Sequence, residues 1–384
     1  MAKFDFNNSQ YAKFWGSRDA QNALQLFIND PDIIRRLPAF WRGQFSVDPM
    51  ITARNYDGVA NFSASMRDNS LDYMLDWRAP LADTQPRDKK GIEGYTGPIP
   101  DFAARGYVET AMEREARERM FEDYFGNDAM ILSAYADDVQ KMVLEADSTM
   151  SNLAAQALST GRTLYPHGSG IHGPIYKAPV PDANFVNAGE KVWADADCKL
   201  LDQMAQIEQG FRDRTGFAGA MKWQVSRDTF YNIILKNAQV VEYINNWRTI
   251  KDKVVVSGWA ITAEMFNEAF AVNEKISPIE IVEERQNNDG TPVKGWADNT
   301  AVLRPAGYAG QVKHTNLLDE TMTKKYGSSV ISKVFARLDI FTIVNTTLDN
   351  GNFKEWHTDL FVSAVPALEE FLNHIIVAIN TPDE

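Results

Sequence analysis

Apolar and polar residues change period several times along this chain, and each change marks an element. The first fifty residues mix the two irregularly, with Pro31, Pro38 and Pro49 as punctuation, which predicts an arm with short helical pieces. From Ser70 the pattern becomes Leu71, Tyr73, Leu75 and Trp77 alternating with Asp72, Met74, Asp76 and Arg78, the period of a half-exposed strand. A polar, proline-bearing tip follows at Asp83 to Gly91, then a second extended stretch to Pro98 and Pro100. Residues 57–100 are therefore expected to form a long projecting hairpin.

Beyond Pro100 there is no proline until Pro166, and glycine occurs only at 106, 126 and 161. Tyr107 to Tyr124 carries Glu113 with Arg117 and Glu115 with Arg119, i,i+4 pairs in the favourable direction, and is expected to be helical. After Gly126, apolar side chains recur at Tyr135, Val139, Met142, Ala146, Met150, Leu153 and Ala157, in steps of three and four. Asn127 or Asp128 can cap the start and Gly161 can stop the end. A helix over 128–160 is roughly 50 Å long. The ordinary setting for such a helix is a bundle or coiled coil. Here its neighbours in sequence are strand-rich and proline-rich, with no second helix of comparable length, so an extended, flattened molecule is expected instead.

Gly161 to Gly189 holds five glycines, four prolines and two histidines and reads as a surface loop between two packing units. His167 and His172 are the natural metal candidates, but no helix puts them on one face and no carboxylate or thiol stands beside them, so no metal site is expected. Helical spacing resumes at Leu200, Leu201, Met204 and Ile207. Ala220 to Val225 reads as a strand, followed by a helix from Arg227 to about Leu235 with Ser226 placed to cap it. A strand at Lys253 to Val256, a helix near Thr262 to Phe270 and a strand at Ile279 to Glu284 continue the alternation. Asn287, Asn288, Asp289 and Gly290 then form a turn before Thr291 to Trp296. Residues 191 to about 310 thus read as a mixed α/β unit. The tail reads as a hairpin, Asp339 to Thr346 and Glu355 to Ala364 about a turn at Asp349 to Asn352, with Pro366 breaking the register. The spacing of Leu368, Phe371, Leu372, Ile375 and Ile376 suits a helix, while the β-branched residues of His374 to Ile379 suit a strand.

Composition narrows the function. The chain has 384 residues, a single cysteine and a formal charge of −13. With Cys198 as the only thiol, an intrachain disulfide is impossible and a Cys/His zinc site is not expected. The opening residues lack a signal-peptide core, and no stretch approaches the ~20 apolar residues of a membrane helix, so no membrane partner and a reducing cytoplasm are expected. The acidic balance argues against general nucleic-acid binding, which is dominated by Lys and Arg. Residues 101–150 contain 12 acidic and 5 basic side chains, a balance of −7, so about half the excess lies in one segment. No G-x-S-x-G elbow, P-loop or dinucleotide fingerprint is present, and His314, His357 and His374 lie in unrelated contexts. No catalytic residue, cofactor or metal is expected.

The order of parts, and particular segments, resemble a known family. The helix DDVQKMVLEADSTMSNLAAQAL, the segment WADADCKLLDQ leading to AMKWQVSRDTFYNIILKN, the run ADNTAVLRPAG and the closing FKEWHTDLFVSAVPAL are similar to the major capsid protein of tailed bacteriophages, in particular the lambda capsid protein E family. In that family a Pro-Asp-Asn-Thr run follows the central hairpin; here Ala297 replaces the proline. The resemblance runs from about residue 70 to the end and involves no catalytic signature.

It implies an α+β, Hong Kong 97-type capsid fold. The parts would be an N-terminal arm (1–56), an extended E-loop hairpin (57–100), a peripheral domain (101–190) with a spine helix over 128–160, an inserted axial α/β domain (191–325) and a C-terminal return to the peripheral domain (326–384). The implied function is a shell protein of the virion, assembled in the host cytoplasm from pentamers and hexamers around double-stranded DNA that it does not read. Leu71, Tyr73, Trp77 and Arg78 would lie on a neighbouring subunit, Arg87, Lys89 and Lys90 at the tip would meet acidic surface, and Asp289 and Gly290 would face a symmetry axis. The acidic segment would face the packaged DNA and let it slide. Because the hairpin begins early, a separate scaffolding protein is implied, along with a portal and a maturation protease or decoration protein. Lys89 and Lys90 sit where some relatives crosslink Lys to Asn, but nothing marks a partner, and no crosslink is expected. Two other readings are an encapsulin-like nanocompartment shell around an enzyme cargo, and a soluble enzyme using His167, His172 or acidic pairs of the α/β unit.

Overall fold

The computed structural model describes residues 39–55, 58–67, 92–104, 107–110, 112, 128–165, 173–251, 261–271, 276–284, 286–288, 291–318, 332–338, 340–349 and 354–381. A short helix, α1 (Phe40–Gln44), runs straight into β1 (Phe45–Thr52). β2 (Ala60–Arg67) and β3 (Ile92–Ile99) pair antiparallel without a register break, from Ala60 opposite Ile99 to Arg67 opposite Ile92. β4 (Asp101–Ala103) and β5 (Tyr107–Thr110) precede the long helix α2 (Asp128–Thr160). β6 (Arg162–Leu164), β7 (Pro174–Lys177) and β8 (Phe185–Asn187) follow. The next stretch alternates: α3 (Leu200–Thr215), β9 (Met221–Ser226), α4 (Arg227–Asn232), α5 (Ala238–Lys251), α6 (Ala263–Ala271) and β10 (Ile279–Val282). A small hairpin of β11 (Gln286–Asn288) and β12 (Thr291–Val293) then leads to β13 (Thr300–Pro305) and β14 (Gly310–Thr315). β15 (Ser332–Leu338), β16 (Phe341–Asp349), β17 (Lys354–Leu368) and β18 (Ile375–Ala378) complete the chain.

Two sheets organise two cores. The first has the order β1-β14-β17-β16-β15, with β4 and β5 laid along the other edge of β17. Helix α2 lies against β17. Met142, Ala146, Met150, Leu153 and Ala157, five positions of the predicted apolar face, are buried together with Phe341, Leu360 and Val362 of the sheet. Full burial of a side chain such as Met150 or Leu153 is worth about 1.5–3 kcal/mol, so this one stripe suffices to hold a 33-residue helix that its own propensity would not. The helix stops where Gly161 takes φ 67° and its N–H donates to the Ala157 carbonyl at 3.0 Å, a left-handed stop that suits glycine.

The second sheet has the order β10-β9-β13-β18-β8. β10 runs parallel to β9, which requires a long crossover, and α4, α5 and α6 supply it. Trp223, Val225, Phe230, Phe266 and Phe270 fill the core beneath it with Leu200 and Met204 of α3. Ser226 caps α4, its Oγ accepting from the Thr229 N–H at 3.1 Å. Ser226→Ala is expected to cost about 1 kcal/mol in a urea denaturation titration.

The structure corrects several readings of the sequence. Tyr107–Thr110 is strand and not the start of a helix, because it pairs with Glu355–Thr358 of β17. The 161–189 stretch is more than a surface loop: β6 and β7 form a hairpin, β8 joins the second sheet parallel to β18, and Ile175, Tyr176, Ala178 and Val180 are buried. Part of the stretch read as an arm is built into the first core, since Trp41 and Phe45 are buried there and β1 pairs with β14. Residues 375–378 form a strand against β13 and β8. Nor does Pro366 end β17, which continues through it to Leu368. There Tyr176 Oη stands in for a neighbouring strand, donating to the Pro366 carbonyl at 2.5 Å and accepting from the Leu368 N–H at 3.3 Å. The predicted strand at Lys253 to Val256 lies outside the described residues.

Candidate functional site

Leu71, Tyr73, Trp77, Arg78, Arg87, Lys89, Lys90, Asp289 and Gly290 all lie outside the described residues, as do His167 and His172. What the structure places are the platforms from which those segments extend. Gln286–Asn288 pairs with Thr291–Val293, so Asp289 and Gly290 are the two residues that join them, the length of a tight β-hairpin connection. The strands Ala60–Arg67 and Ile92–Ile99 flank the 68–91 connection.

The larger platform is fastened by aromatic side chains. Phe62 of β2 and Tyr95 of β3 meet edge to face with ring centroids 5.8 Å apart, and Tyr176 and Phe371 close the cluster at 5.5 Å from Phe62 and 5.8 Å from Tyr95. Such pairs add about 0.5–1.5 kcal/mol each beyond the area they bury. Tyr95 Oη donates to the Leu368 carbonyl at 2.9 Å. Burial pushes both phenols, Tyr95 and Tyr176, well above the usual tyrosine range, so both remain hydrogen-bond donors at any physiological pH. The hairpin is thus seated on the end of β17 by side chains, with no main-chain pairing to it among the described residues.

A buried polar network joins the two cores. Arg304 of β13 is fully buried. Its Nε donates to Gln224 Oε1 at 2.9 Å, its Nη1 to the Pro305 and Gly307 carbonyls at 2.9 and 2.7 Å, and its Nη2 to Gln44 Oε1. Gln44, at the end of α1, donates to Glu280 Oε1 at 2.7 Å, and Lys222 pairs with Glu280 Oε2 at 2.5 Å. Burial lowers the Arg304 guanidinium to about 10, against the pull of Glu280 and Glu370, and it remains charged at neutral pH. Burial and the Arg304 charge lower Lys222 as well. For Glu280 burial acts upward, but the hydrogen bonds from Lys222, Gln224 and Gln44 outweigh it and hold the carboxyl below its usual range.

A second seam ties α2 to the loop before β13. Glu284 accepts from the Gly295 N–H at 2.6 Å and from Asn152 Nδ2 of α2 at 3.3 Å, while Ser159 Oγ accepts from the Ala297 N–H at 3.0 Å. Burial raises the Glu284 carboxyl above its usual range. This loop holds the first three residues of the ADNTAVLRPAG run, most of which is β13, and its role here is to clip the second sheet to the long helix.

Two of the acids in the 101–150 segment serve inside the chain. Asp147 accepts from Trp41 Nε1 at 2.9 Å and pairs with Arg42 at 3.4 Å, and Asp101 pairs with Arg54 at 2.5 Å. A cavity of about 450 Å³ is lined by Arg227, Asp228, Glu283, Glu284 and Lys294, with Arg227 paired to Glu283 and Lys294 to Asp228. Among the described residues no group of three His, Cys, Asp or Glu side chains could hold a metal ion, and no helix is long and apolar enough to cross a membrane.

The structural residues that matter most here, Gln44, Arg54, Glu284 and Arg304, were not evident from the sequence. Each is an isolated polar residue with at least one partner more than a hundred residues away along the chain, and the sequence signal was confined to Arg304 falling within ADNTAVLRPAG.

No protein-family model matches the chain, and no curated protein matches it. Solved structures do. A protein assigned as the capsid protein of a prophage of E. coli CFT073 superposes at TM-score 0.51 and 13% identity, over 93% of this chain and 98% of that one. A phage-related protein of Bordetella bronchiseptica RB50 follows at TM-score 0.46 and 12% identity, covering 94% and 97%. The capsid of cyanophage P-SCSP1u gives TM-score 0.43 and 10% identity, covering 88% and 86%. The first likeness carries the fold assignment: the chain is mixed α+β, consistent with the Hong Kong 97-type fold, and shares its architecture with that prophage protein along nearly the whole of both chains.

Proposed function

We propose that this chain is a major capsid protein of a tailed bacteriophage, of the lambda capsid protein E kind, which assembles into pentamers and hexamers of an icosahedral shell around double-stranded DNA. The observation that carries this reading is the shared fold with the prophage protein assigned as a capsid protein, which spans both chains almost end to end. In this reading residues 1–56 are the arm, its last part from Trp41 built into the first core, 57–100 the extended hairpin, 101–190 the peripheral domain with its 128–160 spine, 191–325 the axial domain and 326–384 the return to the peripheral domain, with β14 of the axial range lying in the first sheet and β18 of the return in the second. The hairpin residues Leu71, Tyr73, Trp77, Arg78, Arg87, Lys89 and Lys90 contact a neighbouring subunit, and Asp289 with Gly290 approaches a symmetry axis. A separate scaffolding protein and a portal complete assembly in the host cytoplasm, with a protease or decoration protein acting afterwards. The acidic segment 101–150 faces the genome, where negative charge lets DNA slide.

Two physical features support a tile over a container. The chain builds two cores around two sheets and ties them together with polar seams, and the hairpin strands β2 and β3 lay one face, Ala60, Phe62, Ala64 and Met66, into the first core and flank the 68–91 connection. Shells of this kind gain strength from many modest contacts repeated by symmetry.

Negative-stain electron microscopy of the purified protein, alone and with a candidate scaffolding protein, tests the reading. Capsomers or icosahedral shells are expected, with little host nucleic acid bound. A lone monomer under both conditions overturns it. Uniform small closed particles that form without scaffold and hold a host enzyme overturn the genome-packaging role and favour a nanocompartment.

A further inference from the structure

The hairpin of β2 and β3 packs one face into the first core through Phe62, Ala64 and Met66, and its two feet meet at a single guanidinium. The chain leaves β1, reverses between Asn55 and Val59, and enters β2; the Gly58 N–H donates to the Asn55 carbonyl at 3.0 Å and the Asn55 N–H to the Val59 carbonyl at 2.8 Å. Gly58 has φ 83°, and a Cβ there would lie 3.1 Å from Leu318 Cδ2, so the turn is built for glycine. Arg54, just before this turn, has a side chain only 6% exposed. Its Nη1 donates to the Gly58 carbonyl at 2.8 Å, at the start of the hairpin. Its Nη2 donates to Asp101 Oδ1 at 2.5 Å, just past the hairpin's end, and to Ser363 Oγ of β17 at 3.3 Å. Its Nε donates to the Asn316 carbonyl, just after β14, at 2.6 Å. Ser363 Oγ also hydrogen-bonds Asp101, closing the ring of partners.

We propose that Arg54 is a positioning residue: it fixes the direction in which the hairpin leaves the body by locking its two feet, Gly58 and Asp101, to β14 and β17 through one planar fork. Guanidinium suits this task because its donors are rigidly disposed in a plane, whereas a lysine in the same place offers one flexible point charge. Direction matters because error grows with length. A strand of eight residues is roughly 26 Å long, so a tilt of about 10° at the base moves the far end by roughly 4–5 Å, about a whole side-chain contact distance. The consequence for assembly rests on the capsid reading, in which residues beyond this base contact a neighbouring subunit; the clamp itself does not.

The test uses the full chain carrying Arg54→Lys, in two measurements. Hydrogen–deuterium exchange on the unassembled protein is expected to speed up about tenfold at 58–67 and 92–101, while 221–226 and 300–305 of the second sheet stay at wild-type rates. Co-assembly with scaffold, viewed by negative stain, is expected to give irregular or incomplete shells. Unchanged exchange in the hairpin overturns the proposal, and so does an equal increase everywhere, which marks a residue that merely stabilises the fold. A selectively loosened hairpin with normal shells overturns the link to assembly. If wild type forms no shells the capsid reading fails, and the exchange measurement still decides the clamp. Should Arg54→Lys not fold, Asp101→Asn keeps an acceptor but removes the charge, and is expected to show the same selective loosening at about threefold.

Discussion

Acidification from pH 7 to pH 4 is expected to remove about 3 kcal/mol of folding stability through His374 alone. This side chain is fully buried between α2 and the second sheet, its Nε2 donating to the Leu158 carbonyl at 2.6 Å. A second proton would go on Nδ1, which has no hydrogen-bond partner among the described residues. Burial above all, with the Arg304 charge adding to it against the Leu158 hydrogen bond, pushes the imidazole down from 6.5 to about 4. Below pH 6.5 the unfolded chain therefore takes up the proton first, while the folded chain resists until about 4. The unfolded state binds more protons across that window, so stability is present above it and is lost as pH falls, at about 1.4 kcal/mol per pH unit. Glu284 and Glu370 act in the opposite sense, because burial raises their carboxyls and the folded chain then binds protons more readily than the unfolded one. The informative quantity is thus the difference between wild type and His374→Gln, which can still donate to Leu158, in guanidinium titrations at pH 7, 5.5 and 4.5. The variant is expected to lose less stability across the range; equal losses would show that His374 carries no such penalty.

How much could be read from the sequence depended on whether a residue's partner was near or far along the chain. The long helix was legible to its last residue because its signal is local: one apolar stripe, no internal proline and a glycine at the end. Tyr107–Thr110 was misread because the Glu/Arg spacing after it is also local, whereas its strand partner in β17 lies some 250 residues away. Gly161 to Gly189 misled by composition: prolines concentrated there suggest loop, yet Pro174 only opens β7, a position where its missing N–H costs little. His374 to Ile379 could not be decided until β13 and β8 were available as flanking strands.

The candidate site was legible in a different sense. The alternation read at Leu71 to Arg78 lies outside the described residues, while the structure describes paired strands at 60–67 and 92–99, inside the 57–100 hairpin, and pairs 286–288 with 291–293, so Asn287 and Asn288 belong to a strand and not to the turn. The side chains named for intersubunit contact lie beyond those strands, outside the described residues. What sequence could not supply was the set of clamps at the bases. Arg54 and Arg304 resemble any solvated arginine until the chain brings distant carbonyls and amides to them.

Arg304→Met is expected to cost about 3–5 kcal/mol, the range for breaking one member of a buried charged network. The loss is not mainly one of volume. Gln224 Oε1 and the Pro305 and Gly307 carbonyls would each lose a charged donor, and Gln44 would lose one of its three. An unsatisfied buried acceptor costs about 1–3 kcal/mol. One term offsets this: Lys222 would be relieved of the neighbouring positive charge that, with burial, now lowers it. Replacing Gln44, Gln224 and Arg304 together by Met removes donors and acceptors at once, so the triple variant is expected to be more stable than Arg304→Met. Guanidinium denaturation measures both. A loss below about 1 kcal/mol for the single variant, or a triple variant as unstable as the sum of its parts, would mean the network does not bind the cores as described. Its position adds a further expectation. Gln44 follows Trp41 of the first core, while Gln224 and Arg304 sit on strands that fill the second. Severing the network should therefore weaken the coupling between the two cores, and Arg304→Met is expected to unfold over a broader or more clearly biphasic transition than wild type under the same conditions.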